Sequence, residues 1–373
     1  MFKNDYTRHN KICLRILRRS VAGNISIDLG NRLKSNKKLT LNDLAGLAGV
    51  STSTVSRALS DNPLIKKETR VRIQALAASH NFSINTAASR LRTQKTKVVA
   101  VILNLIDHTE QSISDPFLLK TVGDLNQALN SKGYDLLLSN SFMATDNWAN
   151  YFINSQRADG LIVVGQGKSD EKVQEVAESG VPMVVWGDPK TESSYPIVGS
   201  NNHLGGEIAT EHLIAGGCKN ILFLGDPEHM EMTGRYSGYQ DALKNHAIKV
   251  DSAFTVACDI TSSAAYAKIS ELILSKGLFF DGIVACSDMV ALGAMRALKE
   301  RYIGIPSDVA IVGFDDILMA ELSYPSLTTI KQNTQHAAQV MVDKLIAQFD
   351  GKKVDSSLID IELVARQSTK HNQ

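Results

Sequence analysis

Residues 41–57 have the sequence Leu41-Asn-Asp-Leu-Ala-Gly-Leu-Ala-Gly-Val-Ser-Thr-Ser-Thr-Val-Ser-Arg57, and the pattern of apolar and capping residues in them predicts the architecture of the amino-terminal part of the chain. Apolar side chains recur at helical spacing on both sides of an Ala-Gly-Val turn. Thr40 and Ser51 stand where helix N-caps are expected, and Gly49 stands where a helix ends. The stretch therefore predicts two short helices, at residues 41–48 and 52–59, joined by a tight turn.

The second predicted helix has an unusual outward face, made of short hydroxyl side chains and Arg57. Two helices joined by a tight turn, the second with such a face, are typical of a helix-turn-helix unit whose second helix enters the major groove of DNA. An ordinary helical bundle is the alternative, but it gives no reason for the polar face or for the basic residues around it. A third helix is predicted at residues 67–79, with Arg70 and Arg72 facing solvent or phosphate. We expect the core to contain Val55, Ala58, Leu59, Val71, Leu76 and Ala77.

Charge is distributed unevenly along the chain. The net charge of the 373 residues is +1, but residues 1–97 hold 19 Lys+Arg against 5 Asp+Glu, and the remainder holds 21 against 34. A basic block attracts polyanions and an acidic one repels them, so we expect only the amino-terminal part to face nucleic acid. A solvated basic tail would show the same excess.

The first 38 residues are basic and carry no recognisable motif. They are interpreted as a disordered leader or as the product of an upstream start codon, and a DNA-backbone arm is the alternative.

The length of the chain predicts more than one domain, and its ordinary composition predicts a globular protein. The four cysteines are far apart and form no CxxC pair, so neither a zinc site nor a disulfide framework is expected. The sequence has no apolar run of membrane-spanning length and no signal-peptide core, which predicts a cytoplasmic location. We expect no metal and no other cofactor.

Beyond residue 97 the sequence alternates between short apolar runs and amphipathic segments. Such alternation predicts α/β lobes with parallel sheets and helices on both faces. Ligands of these sheets bind beyond the carboxyl ends of the strands. The residues that fall there are Trp186, Ser287 with Asp288, and Asp315 with Asp316.

The stretch at residues 41–57 resembles the signature of the lactose-repressor/purine-repressor family of bacterial regulators. The similarity continues through almost everything after residue 38, in motifs such as Arg235-Tyr-Ser-Gly-Tyr239, Gly313-Phe-Asp-Asp316 and Leu327-Thr-Thr-Ile-Lys-Gln332. The resemblance implies an α-helical helix-turn-helix domain followed by a two-lobed domain like that of periplasmic binding proteins. The expected boundaries are residues 1–38 for the extension, 39–84 for the helix-turn-helix, 85–97 for the hinge helix and linker, and 98–369 for the lobes, with crossovers near 199 and 330.

The resemblance also implies roles for the outward residues of the amino-terminal unit. A guanidinium can pair with guanine through two hydrogen bonds, whereas a small hydroxyl also serves phosphate. Leu91, in the Ala-rich segment at residues 85–92, matches a leucine that is wedged into a base step of the minor groove, and packing against the lobes is the alternative. Base contacts are expected for Thr52, Ser53 and Arg57, and phosphate contacts for Thr54, Ser56, Ser60 and Thr69.

In the lobes the resemblance implies an effector site between them. Arg235 and Asp315 match positions that bind the effector, although the two could instead form a structural ion pair. An aromatic ring could lie against the apolar face of a sugar, but a tryptophan at a strand end is as often plain packing. The chain departs from the family at Asn201, where Asp is common, and at Ser287, where Asn is common. The expected effector residues are Phe117, Trp186, Arg235, Ser287 and Asp315.

These observations predict a homodimeric, sequence-specific transcriptional regulator, most simply a repressor, controlled by a small molecule. Family habit favours a sugar, and a purine or another metabolite acting as co-repressor is the alternative. A periplasmic-type binding protein and a sugar-modifying enzyme are the two rival classes. No catalytic motif supports an enzyme, because the phosphate-loop-like ending at residues 165–169 has Ile162 where its first glycine would stand.

Overall fold

The computed structural model describes residues 39–82, 95–105, 110–142, 147–167 and 171–370. The chain divides into two compact units, Met1–Ser89 and Arg90–Gln373, and each has a hydrophobic core of its own. Residues 1–38, the hinge helix and the wedge candidate Leu91 lie outside the described residues. No helix among the described residues is both long enough and apolar enough to cross a membrane.

The amino-terminal unit contains three helices, as its sequence predicts. The first begins at a capping box, in which the Thr40 side chain and the Asp43 side chain each bond the other's backbone N–H. That helix ends at Gly49, whose φ of +67° lies in the left-handed region. The helices are α1 (Leu41–Ala48), α2 (Thr52–Leu59) and α3 (Lys67–Ser79).

The core of this unit differs from the predicted one on α3. Val71 is 55% exposed, and Ile73 is fully buried in the position that Val71 was expected to hold. Two residues along a helix are about 200° apart, so both cannot face the core, and Ile73 aligns with Ala77 four residues later. Arg72, expected to face solvent or phosphate, is exposed, and its Nη2 also donates to the carbonyl oxygen of Ala48 at the end of α1 at 3.1 Å.

The carboxy-terminal unit begins with a lobe that we call the N-lobe. Its sheet is parallel throughout, and the strands lie in the order β11-β5-β4-β3-β1-β2. A helix from late in the sequence, α11, packs beside α4 on this sheet. The elements are β1 (Val98–Leu103), α4 (Pro116–Ser131), β2 (Asp135–Asn140), a π-helical turn (Ala149–Asn154), β3 (Gly160–Val164), α5 (Glu171–Glu178), β4 (Met183–Trp186), β5 (Ile197–Ser200), α11 (Thr334–Phe349) and β11 (Ser357–Ile359).

The second lobe, the C-lobe, repeats this architecture. Its strand order is β12-β10-β9-β8-β6-β7, parallel except for β12, which runs antiparallel to β10. The elements are α6 (Asn202–Ala215), β6 (Ile221–Leu224), α7 (Met230–Asn245), a 3₁₀ turn (Ser252–Phe254), β7 (Thr255–Val256), α8 (Ser262–Lys276), β8 (Gly282–Ala285), α9 (Asp288–Lys299), β9 (Ala310–Asp315), α10 (Leu318–Leu322), β10 (Thr328–Gln332) and β12 (Ile361–Val364).

The two lobes are joined by three crossings of the chain. They lie between β5 and α6, between β10 and α11, and between β11 and β12. The third crossing, at residues 359–361, is not signalled by the sequence pattern, because a three-residue strand is too short to show periodicity. The predicted fold class, a helical helix-turn-helix unit followed by two parallel α/β lobes, is confirmed.

Candidate nucleic-acid interface and interlobe cavity

The N-cap residue of α2, Ser51, fixes the first polar side chains of its outward face by hydrogen bonds. The Ser51 hydroxyl accepts from the backbone N–H of Thr54 at 3.2 Å and lies 2.9 Å from the hydroxyls of Ser53 and Thr54. Arg57 is exposed on the last turn, and its guanidinium takes part in no hydrogen bond or ion pair among the described residues. Its five N–H donors are therefore available to an external acceptor.

The residues expected to contact phosphate occupy different environments. Ser60 is exposed, and its hydroxyl donates to the carbonyl oxygen of Ser56 at 2.9 Å. Thr69 lies on the first turn of α3, one residue before Arg70, whose Nε is 3.0 Å from Asp61 Oδ1. Thr52, Thr54, Ser56 and Thr69 are half-buried, and Ser53 is exposed. The residues expected to contact DNA thus lie on α2, at its C-cap Ser60 and on the first turn of α3.

A cavity lies between the N-lobe and the C-lobe. Its walls come from the carboxyl ends of strands in both sheets and from the first turns of α4 and α7, which is where parallel α/β folds bind ligands. All five residues predicted to hold the effector line it: Phe117, Trp186, Arg235, Ser287 and Asp315.

The N-lobe supplies an aromatic wall. Trp186 is the last residue of β4, and Phe117 lies on the first turn of α4, with their ring centroids 5.9 Å apart. Asp115 caps α4 by accepting from the N–H groups of Phe117 and Leu118 at 2.9 and 3.2 Å. Burial raises the pKa of the Asp115 carboxyl, and these two hydrogen bonds oppose that shift.

Arg235 is the cation of the C-lobe wall. Its guanidinium carbon lies 3.6 Å from the centroid of the Phe314 ring, and Nε donates to Asn202 Oδ1 at 2.9 Å. Nη1 donates to the carbonyl oxygen of Cys286. Stacking and two directed hydrogen bonds fix the plane of the group, so its remaining donors have a defined direction in the cavity.

Asp315 is the anion of the same wall, at the end of β9. Its backbone φ is +126°, a value that residues other than glycine seldom adopt. Such backbone strain clusters at functional sites. Its Oδ1 accepts from Gln332 Nε2 at 2.7 Å. Burial raises the pKa of Asp315 well above the ordinary carboxyl value, although Arg235 lowers it.

The charged groups of Arg235 and Asp315 are too far apart to form the ion pair that was the alternative. No nitrogen of Arg235 lies within 4.0 Å of an Asp315 carboxylate oxygen in the described part of the chain, so the two groups face the cavity separately. Ser287 lines the cavity too, but its hydroxyl caps α9 by accepting from Val290 N–H at 3.2 Å. A ligand contact of Ser287 would use the hydroxyl proton, which the cap leaves available.

Two parts of the chain match models of known protein families. Residues 40–85 match the model of bacterial regulatory proteins of the lacI family, and residues 210–369 match a periplasmic binding protein-like domain. The chain therefore has a LacI-family helix-turn-helix domain and a periplasmic-binding-protein-like domain. The resemblance drawn from the sequence is thereby confirmed.

The chain is similar to named regulators over nearly its whole length. It is 29% identical to the HTH-type transcriptional regulator RegA of Clostridium saccharobutylicum, over 88% of this chain and 99% of the relative. Among solved structures, a complex of the transcriptional regulator CelR with cellobiose has a TM-score of 0.67 at 26% identity, covering 88% of this chain and 99% of that one. The lac repressor dimer bound to operator and the anti-inducer ONPF has a TM-score of 0.75 at 25% identity, covering 89% and 99%.

Two aspartates that the sequence places beside the site stabilise the fold of the C-lobe instead. Asp288 accepts from Thr329 Oγ1 at 2.5 Å and from Ile317 N–H at 2.9 Å, and it does not line the cavity. Asp316 forms an ion pair with Arg366 at 2.7 Å. There are two such pairs of neighbouring residues, Ser287–Asp288 and Asp315–Asp316. In each, the first residue lines the cavity and the second bonds to other residues of the C-lobe.

Sequence reasoning missed the other residues of α7 that line the cavity. His229, Glu231 and Met232 come just before or within its first turn, and Glu231 Oε1 also accepts from the backbone N–H of Gln166 in the N-lobe at 3.3 Å. A signal was present, because Glu231 and Met232 precede Arg235 by four and three residues and so share its helix face.

Proposed function

We propose that this protein is a sequence-specific transcriptional repressor that acts in the cytoplasm and is controlled by a sugar bound between its lobes. One observation carries the proposal: a single chain combines two features. The outward guanidinium of its helix-turn-helix, on Arg57, has no partner among the described residues, and its cavity presents a guanidinium, several carboxylates and two aromatic rings. The first part supplies DNA recognition and the second supplies a binding site for a small molecule.

The cavity chemistry supports a sugar. Carboxylates and a guanidinium can hold several hydroxyl groups in fixed geometry, and an aromatic ring packs on the apolar face of a pyranose. The solved CelR relative is a complex with cellobiose, which is consistent with this class of ligand. Thr52, Ser53 and Arg57 remain the proposed base-reading residues, and Thr54, Ser56, Ser60 and Thr69 the proposed phosphate contacts.

We further propose a homodimer formed through the C-lobe. Around α10 the side chains of Leu318, Leu322 and Tyr324 are 70%, 71% and 80% exposed, and Leu274 on α8 is 78% exposed. Large apolar side chains exposed in one region mark interaction surfaces. A two-fold dimer would present two α2 helices to a near-palindromic operator.

The test is a selection of DNA from a random pool by the full chain, followed by a thermal-shift screen with neutral sugars, cellobiose and ribose among them, and with purine bases. We expect one palindromic sequence to be enriched and at least one sugar to raise the melting temperature. A ligand at about 100 times its Kd stabilises a protein by about 2.7 kcal/mol. The sugar should be recovered unchanged after incubation. Enrichment of no sequence would contradict the proposal, and a response to purines alone would replace the sugar.

Asp315→Asn tests the cavity in particular. The amide keeps an oxygen that can accept from Gln332 but loses the charge, so we expect the sugar-induced shift to disappear while affinity for the selected operator stays the same. Asp316→Asn is the matched control, since the adjacent carboxylate pairs with Arg366 outside the cavity. An unchanged sugar response in Asp315→Asn would place the effector elsewhere.

A further inference from the structure

Each of the two opposite charges of the cavity is connected to the N-lobe through one buried amide side chain. We call the chain of residues Asp315, Gln332 and Ser200 the acid relay. The chain of Arg235, Asn202 and Asp188 is the arginine relay. Both relays run from a cavity charge in the C-lobe, through an amide, to a residue of the N-lobe.

The acid relay crosses between the lobes at the end of two strands. Gln332 ends β10 in the C-lobe, and its Nε2 donates to Asp315 Oδ1 at 2.7 Å. Its Oε1 accepts from the hydroxyl of Ser200, which ends β5 in the N-lobe, also at 2.7 Å. All three side chains are buried. The amide thus holds the cavity carboxylate and the first crossing point at the same time.

The arginine relay crosses between the lobes beside the first one. Asn202 begins α6 in the C-lobe; its Oδ1 accepts from Arg235 Nε at 2.9 Å, and its Nδ2 donates at 3.3 Å to Oδ2 of Asp188, which follows β4 in the N-lobe. Gly234 makes room for this contact, because a Cβ there would lie 2.7 Å from Asp188 Oδ2 and 2.9 Å from Asn202 Cβ.

A rotation of one lobe against the other would change the lobe-crossing hydrogen bond of each relay. Each lobe-crossing hydrogen bond joins buried groups, and a buried polar group that loses its partner is destabilising. A ligand that engages Asp315 and Arg235 contacts the same two charged groups to which the amides are hydrogen-bonded. Cavity occupancy and lobe orientation therefore act on the same hydrogen bonds.

We propose that Gln332 and Asn202 are positioning residues that couple occupancy of the cavity to the relative orientation of the lobes. They do so by exchanging hydrogen bonds between the cavity charges and the crossing point. The link between lobe orientation and DNA binding rests on the proposed function, whereas the link between the amides and lobe orientation does not. The coupling must act in both directions.

The first test measures the interlobe distance in the full chain with no sugar present. Spin labels are attached through Glu178→Cys in the N-lobe and Glu271→Cys in the C-lobe, both exposed, with Cys13→Ser removing a thiol outside the described residues. The other three cysteines are buried. Ser200→Ala removes the lobe-crossing bond of the acid relay without touching the cavity, and we expect a broadened or shifted distance distribution.

Two isosteric variants extend the test to both amides. Gln332→Glu keeps an acceptor for Ser200 but sets a carboxylate against Asp315. Asn202→Asp keeps an acceptor for Arg235 but sets a carboxylate against Asp188. We expect each to shift the distance distribution. Should either fail to fold, Ser200→Ala, which deletes only one hydroxyl, still decides the question.

Ser368→Ala is the control. Its hydroxyl is equally buried and has two hydrogen bonds, to Thr328 N–H and the Ile311 carbonyl, both inside the C-lobe. The interlobe distance distribution of the Ser368→Ala variant should match that of the parent. Identical distributions for Ser200→Ala, Gln332→Glu and the parent would overturn the proposal.

The second test separates the relay from the proposed function. Affinity for the operator selected from a random DNA pool should change by about 5-fold or more in Ser200→Ala and stay at the parent value in Ser368→Ala. If the parent itself selects no sequence, the proposed function fails and the distance measurement alone judges the relays. If the parent selects an operator and Ser200→Ala binds it like the parent, the relays do not control DNA binding.

Discussion

Arg57 shows how the surroundings of a residue define its role. Two other arginines of the described amino-terminal unit have partners within the protein. Arg70 pairs with Asp61, and Arg72 donates to the carbonyl oxygen of Ala48 at the end of α1. Arg57 is exposed and takes part in no such contact within the described residues. The arginine that the fold does not use is the one on the outward face of α2.

We expect Arg57→Ala to weaken operator binding by about 1–3 kcal/mol and to relax base preference at one position in each half-site. The loss should follow from an arginine that reads a base edge rather than a phosphate. Competition binding against operators altered at single positions measures it. Lys67→Ala, which removes a charge from exposed α3, is the control and should weaken all sequences alike. A uniform loss in Arg57→Ala would contradict base reading.

Asp288 makes stability depend on pH. Burial raises its pKa from 3.8 to about 7, although hydrogen bonds from Thr329 and Ile317 oppose the shift. Between these two values the native protein keeps a proton that the unfolded chain has lost, so stability falls as pH rises from about 4 to about 7, by at most about 1.4 kcal/mol per pH unit. The loss is complete above pH 7.

Asp288→Asn should flatten this pH dependence, because an amide can still serve Ile317 and Thr329 and does not titrate. Urea unfolding at several pH values, followed by the fluorescence of Trp148 and Trp186 in the N-lobe, measures the slope. Asp350→Asn, on an exposed side chain, is the control and should keep the parent slope. A slope in Asp288→Asn equal to that of the parent would assign the pH dependence to other groups.

At the scale of elements, the turn between α1 and α2 depends on one backbone conformation. Gly49 ends α1 with a φ of +67°, and its N–H bonds back to the carbonyls of Ala45 and Gly46. Gly46 lies inside α1, and a Cβ at either glycine would meet nothing within 4 Å. The two glycines therefore differ in backbone conformation and not in available space.

We expect opposite signs for the two alanine substitutions. Gly49→Ala should destabilise the isolated unit Met1–Ser89 by about 1–2 kcal/mol, the cost of the left-handed conformation for an L-residue. Gly46→Ala should stabilise it by about 0.5–1 kcal/mol, because alanine loses less backbone entropy in a helix. Urea unfolding followed by circular dichroism measures both. Equal effects would show that the left-handed turn is not what limits this position.

At the scale of the whole molecule, the proposed dimer determines the strength of DNA binding. Two linked α2 helices bind two half-sites as one unit, which raises affinity by about 10²–10⁴-fold over a single contact. The exposed apolar side chains around α10 are the proposed contact between protomers.

Leu322→Arg should place a charge in this contact and give a monomer in sedimentation velocity, with operator affinity reduced by about 10²–10⁴-fold. Leu204→Arg introduces the same charge on exposed α6 and should leave the dimer intact. Dimers in both variants would move the interface to another surface of the lobes.

Local signals in the sequence were sufficient for the three amino-terminal helices, for the alternation of strands and helices beyond residue 97 and for the class of fold. The capping residues, Gly49 and the continuous apolar runs are short-range features, because a cap or a strand pattern depends on residues a few positions apart. Motif order also placed Phe117, Trp186, Arg235, Ser287 and Asp315 in one site, and the structure brings all five to one cavity.

Tertiary structure alone decided how neighbouring polar residues divide their roles. Asp315 faces the cavity while Asp316 pairs with Arg366, and Ser287 faces it while Asp288 holds Thr329 and Ile317. The partners lie up to 50 residues away in sequence, so no local pattern contains them. The same holds for the relays through Gln332 and Asn202, because only folding brings the ends of separate strands from two lobes within hydrogen-bonding distance.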